Sequence, residues 1–227
     1  MKRSLINANI EWAIETCERM HCALPEFAYW TPEQWKEKEA TTAYMWKVAM
    51  GWDVTDYNSG NFDKTGAVLF TLRNGELAHP EKGMVYCEKY IVMKPGQCLP
   101  RHFHYFKTED IINRAGGILR VYCWNSLPKE QGYEVDYESD VHLMCDGRPV
   151  TLKAGGYYDV TPGNSITLTP YVYHSFEAVP EAGDLVVGEV SRVNDDANDN
   201  FFNPPVEFFK VEEDEPVRHL LCGGYKQ

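Results

Sequence analysis

The chain has 227 residues with 44% hydrophobic and 25% charged residues, the balance of a folded globular protein with its own core. Its 22 basic and 34 acidic residues give a formal net charge of −12, which disfavours binding to nucleic acid or to anionic membranes. The seven cysteines include no Cys-x-x-Cys pair, and no long apolar run begins the sequence. We therefore expect a cytoplasmic protein with reduced thiols, no disulfide framework, no signal peptide and no membrane span.

The first part of the chain is predicted to be helical. Apolar residues recur at helical spacing between residues 4 and 20. Further on, Thr31 is a predicted N-cap, Pro32 suits the first turn, and Gln34 is placed to complete a capping box. We expect the helix that begins there to end before Gly51.

After Gly60, short runs rich in β-branched and aromatic residues alternate with turn residues, a spacing typical of a β-sandwich or β-barrel. The predicted strands are Ala67–Leu72, Met84–Met93, Gly117–Trp124, Val150–Leu152, Tyr157–Val160, Ser165–Leu168, Val172–Ala178 and Leu185–Val193. The sequence thus predicts a mainly β fold: a barrel at residues 61–227 with residues 1–60 as a helical extension packed on it, together one structural domain.

A group of potential metal ligands follows the second predicted strand. His102 and His104 alternate along a strand, so their side chains project from one face and can converge on one ion. Glu109 follows at a distance suited to the neighbouring strand of a hairpin. Two imidazoles and a carboxylate suit manganese, iron, nickel, cobalt or zinc better than magnesium or calcium.

This spacing resembles the first motif of the cupin β-barrels. The residues that carry the resemblance are Gly96, His102, His104, Glu109 and Gly116. The second cupin motif is matched loosely, because Pro170 lies one residue too close to His174 and the expected glycine is missing. The resemblance implies a cupin or jelly-roll β-barrel in which His102, His104, Glu109 and His174 hold one divalent metal ion.

Three other charged residues are candidates for chemistry beside such a metal. Glu189 shares a strand face with Leu185 and Val187; if that face points inward, burial would raise its pKa toward the range of a general base. Lys107, in the turn that leads to Glu109, could stabilise charge on a substrate oxygen. Lys89 also belongs to a face that could point inward. The alternative for each of the three is a surface charge at a strand edge.

Over most of its length the chain resembles the D-lyxose ketol-isomerases, which are cupin sugar isomerases, and residues 95–114 and 188–200 carry the resemblance. The resemblance implies Mn²⁺ on the four ligands, Glu189 transferring a proton beside Lys107, and a homodimer. Asp199 is the expected contact to the sugar hydroxyls, and Lys89 and Arg192 are further expected substrate-binding residues.

The implied reaction interconverts D-lyxose and D-xylulose, with D-mannose and D-fructose as a second pair. A proton would pass through a cis-enediol on a metal-bound, open-chain, neutral monosaccharide, and a hydride shift is the competing mechanism. An iron-dependent dioxygenase, a non-catalytic sugar-binding cupin and a sugar-phosphate isomerase are the alternatives, because a cupin fold alone does not decide function. The net negative charge disfavours a phosphorylated substrate.

Overall fold

The computed structural model describes residues 1–222, in which three α-helices precede an antiparallel β-fold. The α-helices are α1 (Arg3–Arg19), α2 (Pro32–Glu37) and α3 (Glu39–Lys47), and short 3₁₀ turns cover Glu26–Tyr29, Pro80–Lys82, Lys129–Gln131 and Pro180–Ala182. The strands are β1 (Gly51–Thr55), β2 (Ala67–Arg73), β3 (Tyr86–Met93), β4 (Cys98–His104), β5 (Glu109–Gly116), β6 (Leu119–Ser126), β7 (Val135–Asp136), β8 (Val141–Cys145), β9 (Arg148–Leu152), β10 (Tyr157–Val160), β11 (Ser165–Leu168), β12 (Val172–Ala178), β13 (Leu185–Arg192) and β14 (Asn200–Phe202).

The strands form two facing sheets. The larger sheet has the order β1-β2-β3-β13-β5-β11-β8-β9, and the smaller one has the order β10-β6-β12-β4-β14, with β7 paired to β6. Apolar side chains from both sheets, such as Ile91, Ile111, Val121 and Phe176, fill the space between them. Two antiparallel sheets around one interior form a jelly-roll barrel, so the predicted mainly β fold with N-terminal helices is confirmed.

The N-terminal helices cover the outer face of the larger sheet. Ile6, Ile10 and Cys17 of α1 are fully buried and pack in one cluster with Phe70 of β2 and Val186 of β13. Their spacing places them along one face of the helix, as the apolar pattern predicts. The outer face of β2 and β13 is therefore covered by α1, while their inner face lines the barrel interior.

The capping box at Thr31 is confirmed, but the length of the helix that it begins is shorter than expected. The Gln34 backbone N–H donates to Thr31 Oγ1 at 3.3 Å, and the Thr31 N–H donates to Gln34 Oε1 at 2.9 Å. The helical region ends at Lys47, before Gly51 as expected, but it is not one helix, because the backbone of Lys38 leaves helical geometry (φ −98°, ψ 3°) and separates α2 from α3.

Each predicted strand is present with its ends within two residues of the expected positions. Strand β1 pairs with β2 although it precedes residue 61 and was expected in the helical part. The division of the chain between residues 60 and 61 stays a prediction. Within the described part of the chain, no helix is both long and apolar enough to cross a bilayer.

Candidate active site

Three histidines meet inside the barrel because β4 and β12 are neighbours in the smaller sheet. His102 lies directly opposite His174 across this strand pair, and His104 is two residues further along β4 on the same face. One ring nitrogen of each histidine lies within 4.8 Å of the others. Sequence spacing predicted the His102 and His104 pair, and the sheet pairing brings His174 to it.

Glu109 reaches the same point from the opposite sheet. It begins β5, and its side chain is 2% exposed. Its carboxylate oxygens lie 3.3 Å from His174 Nε2 and 3.4 Å from His104 Nε2. Although burial alone would raise the pKa of Glu109, the adjacent Lys107 and His104 lower it well below its usual value. The four residues predicted as metal ligands therefore face one another across the barrel.

The arrangement of the imidazoles fits a bound cation. His102 Nδ1 lies 2.9 Å from Pro100 O and His174 Nδ1 lies 3.0 Å from Val172 O, so each Nδ1 carries the proton of a neutral ring. Burial lowers the pKa of His174 to about 4 and that of His102 well below its usual value, which keeps both rings neutral.

Consequently the two Nε2 atoms, only 3.2 Å apart, face each other with lone pairs and cannot hydrogen-bond. Both ring nitrogens of His104 are also buried without a hydrogen bond. Buried polar atoms without partners are rare, and a cation among these nitrogens would satisfy them. Three imidazoles and a carboxylate suit a divalent transition metal.

Glu189 and Lys107 form a buried ion pair beside the histidines. Glu189 points into the barrel with Leu185 and Val187, as its strand face predicted, and is 5% exposed. Its Oε1 accepts from Lys107 Nζ at 2.8 Å and from Ser191 Oγ at 3.2 Å. The carboxylate is thus surrounded by polar groups, whereas the sequence suggested apolar surroundings.

Lys107 also contacts one of the predicted metal ligands, Glu109. Its Nζ lies 3.0 Å from Glu109 Oε2 in addition to its contact with Glu189. Burial by itself would lower the pKa of Lys107, but the two carboxylates outweigh burial and raise it. Lys107 is therefore an ammonium ion at neutral pH, suited to stabilise negative charge and unsuited to accept a proton.

Lys89 supplies a second buried ammonium group from β3. It lies opposite Glu189 in the β3–β13 register and is 5% exposed. Its Nζ donates to Asn194 Oδ1 at 2.8 Å and lies 3.5 Å from Asp196 Oδ1 and 3.9 Å from Glu189 Oε1. Burial opposes its charge, yet the carboxylates of Asp196 and Glu189 raise its pKa.

The two remaining predicted substrate-binding residues lie behind the Lys107 turn. The buried Asp199 carboxylate accepts backbone N–H groups of Phe106 at 2.7 Å and Lys107 at 3.1 Å. Arg192 is exposed, and its guanidinium donates to Phe106 O at 3.5 Å. Both residues hold the turn that carries Lys107, and their direct contact with a sugar stays a prediction.

A cavity connects these groups to the surface. Among the described residues it is lined by the histidines of β4, by Glu109, Lys107, Glu189 and Lys89, and by several residues that sequence reasoning missed. The missed lining residues include Asp53, Thr55, Tyr57, Asp196, Asn200, Phe202 and Phe208. Their side chains combine carboxylates, hydroxyls and aromatic rings, a mixture that suits a small polyol. Except for Asp196 and Asn200, which fall in the segment of the family resemblance, no local motif marks them.

Comparison with known proteins shows the family and supports the fold. A family model described as D-lyxose isomerase matches residues 1–225. The D-lyxose/D-mannose isomerase of Escherichia coli O157:H7 is 40% identical over 100% of this chain and 99% of its own length. The D-lyxose/D-mannose isomerase of Serratia proteamaculans is 39% identical over 99% of this chain and 98% of its own length. An L-ribose isomerase structure from Cellulomonas parahominis shares the fold, with a TM-score of 0.54 and 16% identity over 93% of this chain and 98% of that one.

Proposed function

The chain belongs to the D-lyxose isomerase family and is an isomerase, and we propose that it interconverts D-lyxose and D-xylulose, and also D-mannose and D-fructose, with a divalent metal ion. One observation carries the proposal. A cluster of three histidines and Glu109 lies in the same cavity as the buried Lys107–Glu189 pair. Metal ligands beside a carboxylate and an ammonium group suit a metal-assisted aldose–ketose isomerisation, which needs a base and stabilisation of charge on the sugar oxygens.

We propose Mn²⁺ as the ion, held by His102, His104, Glu109 and His174. When bound there, such an ion polarises a carbonyl group and acidifies a neighbouring hydroxyl. The ligand set supports the proposal because nitrogen and oxygen donors together suit this metal.

In the proposed mechanism Glu189 moves the proton between the two reacting carbons. Its carboxylate would remove the proton from C2 of the open-chain aldose and return it to C1 of the cis-enediol, and over the two steps O1 would gain the proton that the C2 hydroxyl loses, giving the ketose. Ser191 Oγ lies 3.2 Å from this carboxylate and 2.8 Å from Arg192 O, so its one hydroxyl hydrogen is shared between the two acceptors. A positioned general base of this kind typically accelerates a reaction by about 10²–10⁴-fold.

The two lysines would act as fixed positive charges. Lys107 would stabilise negative charge that develops on the sugar oxygens, since its raised pKa keeps it protonated. Lys89 lies further toward Asp196 and would donate to a sugar hydroxyl. Both are almost fully buried, so their charges are screened little by solvent.

The outer cavity would hold the rest of the sugar. Phe202 stacks on His102 with ring centroids 5.0 Å apart, and Tyr57 packs against Phe202 at 5.9 Å. Such aromatic faces suit the C–H surface of a monosaccharide, while Asp53 and Asp196 offer acceptors for its hydroxyls. We also propose Asp199 and Arg192 as substrate-binding residues. In addition, both hold the turn that carries Lys107.

A cytoplasmic homodimer is part of the same proposal. Aromatic residues near the barrel end are unusually exposed, including Phe106 at 62% and Tyr171 at 41%. Exposed aromatic groups of this kind are enriched at protein–protein interfaces. Light scattering after size-exclusion chromatography is expected to give twice the chain mass of 26.1 kDa, and the monomer mass would reject the dimer.

The central experiment measures ketose formation from D-lyxose and from D-mannose. The protein is stripped with a chelator, assayed, and assayed again after Mn²⁺ is restored. We expect turnover only in the restored sample. If restored protein with bound Mn²⁺ forms no D-xylulose, the lyxose assignment is wrong, and if stripped protein is fully active, metal dependence is wrong.

A further inference from the structure

Asn194 lies between the two buried lysines of the cavity. Its Oδ1 accepts from Lys89 Nζ at 2.8 Å and from Lys107 Nζ at 3.4 Å. One neutral amide therefore contacts both ammonium groups, and it follows β13, the strand that carries Glu189.

The backbone of Asn194 is fixed by a second asparagine that is 120 residues away in the sequence. Asn74 Oδ1 accepts the Asn194 N–H at 3.0 Å, and Asn74 Nδ2 donates to Asn194 O at 3.2 Å. Asn74 Nδ2 donates as well to Val48 O at 3.0 Å, at the end of α3. Asn74 is 5% exposed, and its amide has used both donor hydrogens and its acceptor.

We propose that Asn74 and Asn194 act as one positioning unit: Asn74 fixes the backbone of Asn194, and the Asn194 amide oxygen sets the places of the Lys89 and Lys107 ammonium groups. This inference rests on the proposed function and extends it to residues outside the expected site. Among the described residues neither asparagine lines the cavity, whereas Lys89 and Lys107 do, so Asn74 would act on the reaction through Asn194 and these two lysines.

Charge balance explains why an amide is suited to this position. Lys107 already contacts two carboxylates, Glu109 and Glu189, and Lys89 contacts the Asp196 carboxylate. A further carboxylate at position 194 would compete with Glu189 for the Lys107 ammonium and place more negative charge where it must develop on the substrate. A neutral oxygen instead aligns both donors without adding charge.

The test is a double-mutant cycle with Asn74→Ala, Asn194→Ala and the double variant, assayed for D-lyxose isomerisation with Mn²⁺ present. Each single variant is expected to lower kcat about tenfold and to raise KM by a smaller factor, because Lys107 acts on charge that develops in the transition state and Lys89 on the bound sugar. In the Asn194→Ala background, Asn74→Ala is expected to change kcat less than about twofold.

Asn7 provides a matched control. It is fully buried, its Nδ2 donates to Glu215 Oε1 and Pro216 O, and its Oδ1 accepts the Arg218 N–H. Asn7→Ala thus removes the same number of bonds from an amide that ties α1 to the C-terminal segment. We expect it to lower the melting temperature as Asn74→Ala does while leaving kcat within about twofold.

Two results of the cycle would overturn the proposal. One is that Asn74→Ala lowers kcat by the same factor in the wild type and in Asn194→Ala. The other is that Asn7→Ala lowers kcat as much as Asn74→Ala does. A third arm uses the conservative variant Asn194→Asp, which keeps an acceptor and adds a charge. It is expected to remain folded and to lower kcat at least as much as Asn194→Ala. Wild-type kcat in Asn194→Asp would also reject the assigned role of the neutral amide.

Crystal structures of the Asn74→Ala variant and of the wild type show, without an activity assay, whether Asn74 sets the position of Asn194 relative to Lys89. We expect the 2.8 Å contact between Lys89 Nζ and Asn194 Oδ1 to be lost in the variant. If it is retained, the positioning unit is wrong even where the enzyme turns over D-lyxose. Absence of turnover in the wild type, by contrast, rejects the proposed function, and the crystal structures still decide the positioning.

Discussion

Replacing Glu189 by Gln is the most direct test of the proposed proton transfer. The change keeps the shape of the side chain and one oxygen that can accept from Lys107 Nζ and Ser191 Oγ. In the wild type these donors lie 2.8 Å and 3.2 Å from Glu189 Oε1. It removes the only function that an amide cannot perform here, which is to take up and release a proton. Because a general base contributes about 10²–10⁴-fold, we expect kcat to fall by that factor with little change in KM.

The effect on stability is expected to be small by comparison. A hydrogen bond to a charged group is worth about 1.5–3 kcal/mol, and Lys107 keeps its second carboxylate partner, Glu109, at 3.0 Å. A loss of about 1–2 kcal/mol would lower the melting temperature of a chain of this size by roughly 2–8 °C. The variant should therefore be folded at 25 °C, so that its loss of activity reports on chemistry.

The assay follows D-xylulose formation under saturating D-lyxose and Mn²⁺, with bound metal measured in each sample. Glu88→Gln is the matched control, because Glu88 adjoins Lys89 on β3, points away from the cavity and pairs with Arg73. We expect the control to keep wild-type kcat. A Glu189→Gln variant with more than about a tenth of wild-type kcat would refute the assignment of Glu189 as the proton carrier.

Three further outcomes are expected. Isomerisation of D-lyxose in D₂O should place deuterium on C1 of D-xylulose, whereas unlabelled product would favour the hydride shift. His174→Ala should lose bound Mn²⁺, measured by elemental analysis, while His142→Ala, on the exposed face of β8, should retain it; equal metal contents would reject His174 as a ligand. Burial raises the pKa of Cys17, Cys87 and Cys123 to about 12, so at pH 8 an alkylating reagent should modify them no faster than the protein unfolds; rapid labelling detected by mass spectrometry would contradict this.

The sequence predicted best the features that depend on local pattern. The alternation of β-branched residues located eight strands, and the His-x-His spacing placed His102 and His104 on one face of β4. Strand β1 was missed because its five residues, Gly51–Thr55, lack clear alternation and follow closely on a helix. The break at Lys38 was missed because residues 36–39 are all charged residues and include no glycine or proline that would mark a break.

Features that depend on distant contacts could not be predicted in this way. Asp53 lines the cavity because β1 adds to the edge of the larger sheet, and that pairing has no local signal. Likewise, Asn194 contacts Lys89 only after β3 and β13 have paired, and Asn74 reaches it from the far end of β2. Polar side chains in loops acquire their roles from the strands that those loops connect.

The charges of the cavity tie the metal site to the proton-transfer site. Two ammonium groups, from Lys89 and Lys107, and four carboxylates, from Asp53, Glu109, Glu189 and Asp196, line it and leave a net charge of −2 when all are ionised. A divalent cation would balance that charge. Lys107 contacts both Glu109, a proposed metal ligand, and Glu189, the proposed proton carrier. A substitution at Lys107 should therefore perturb metal binding and proton transfer together.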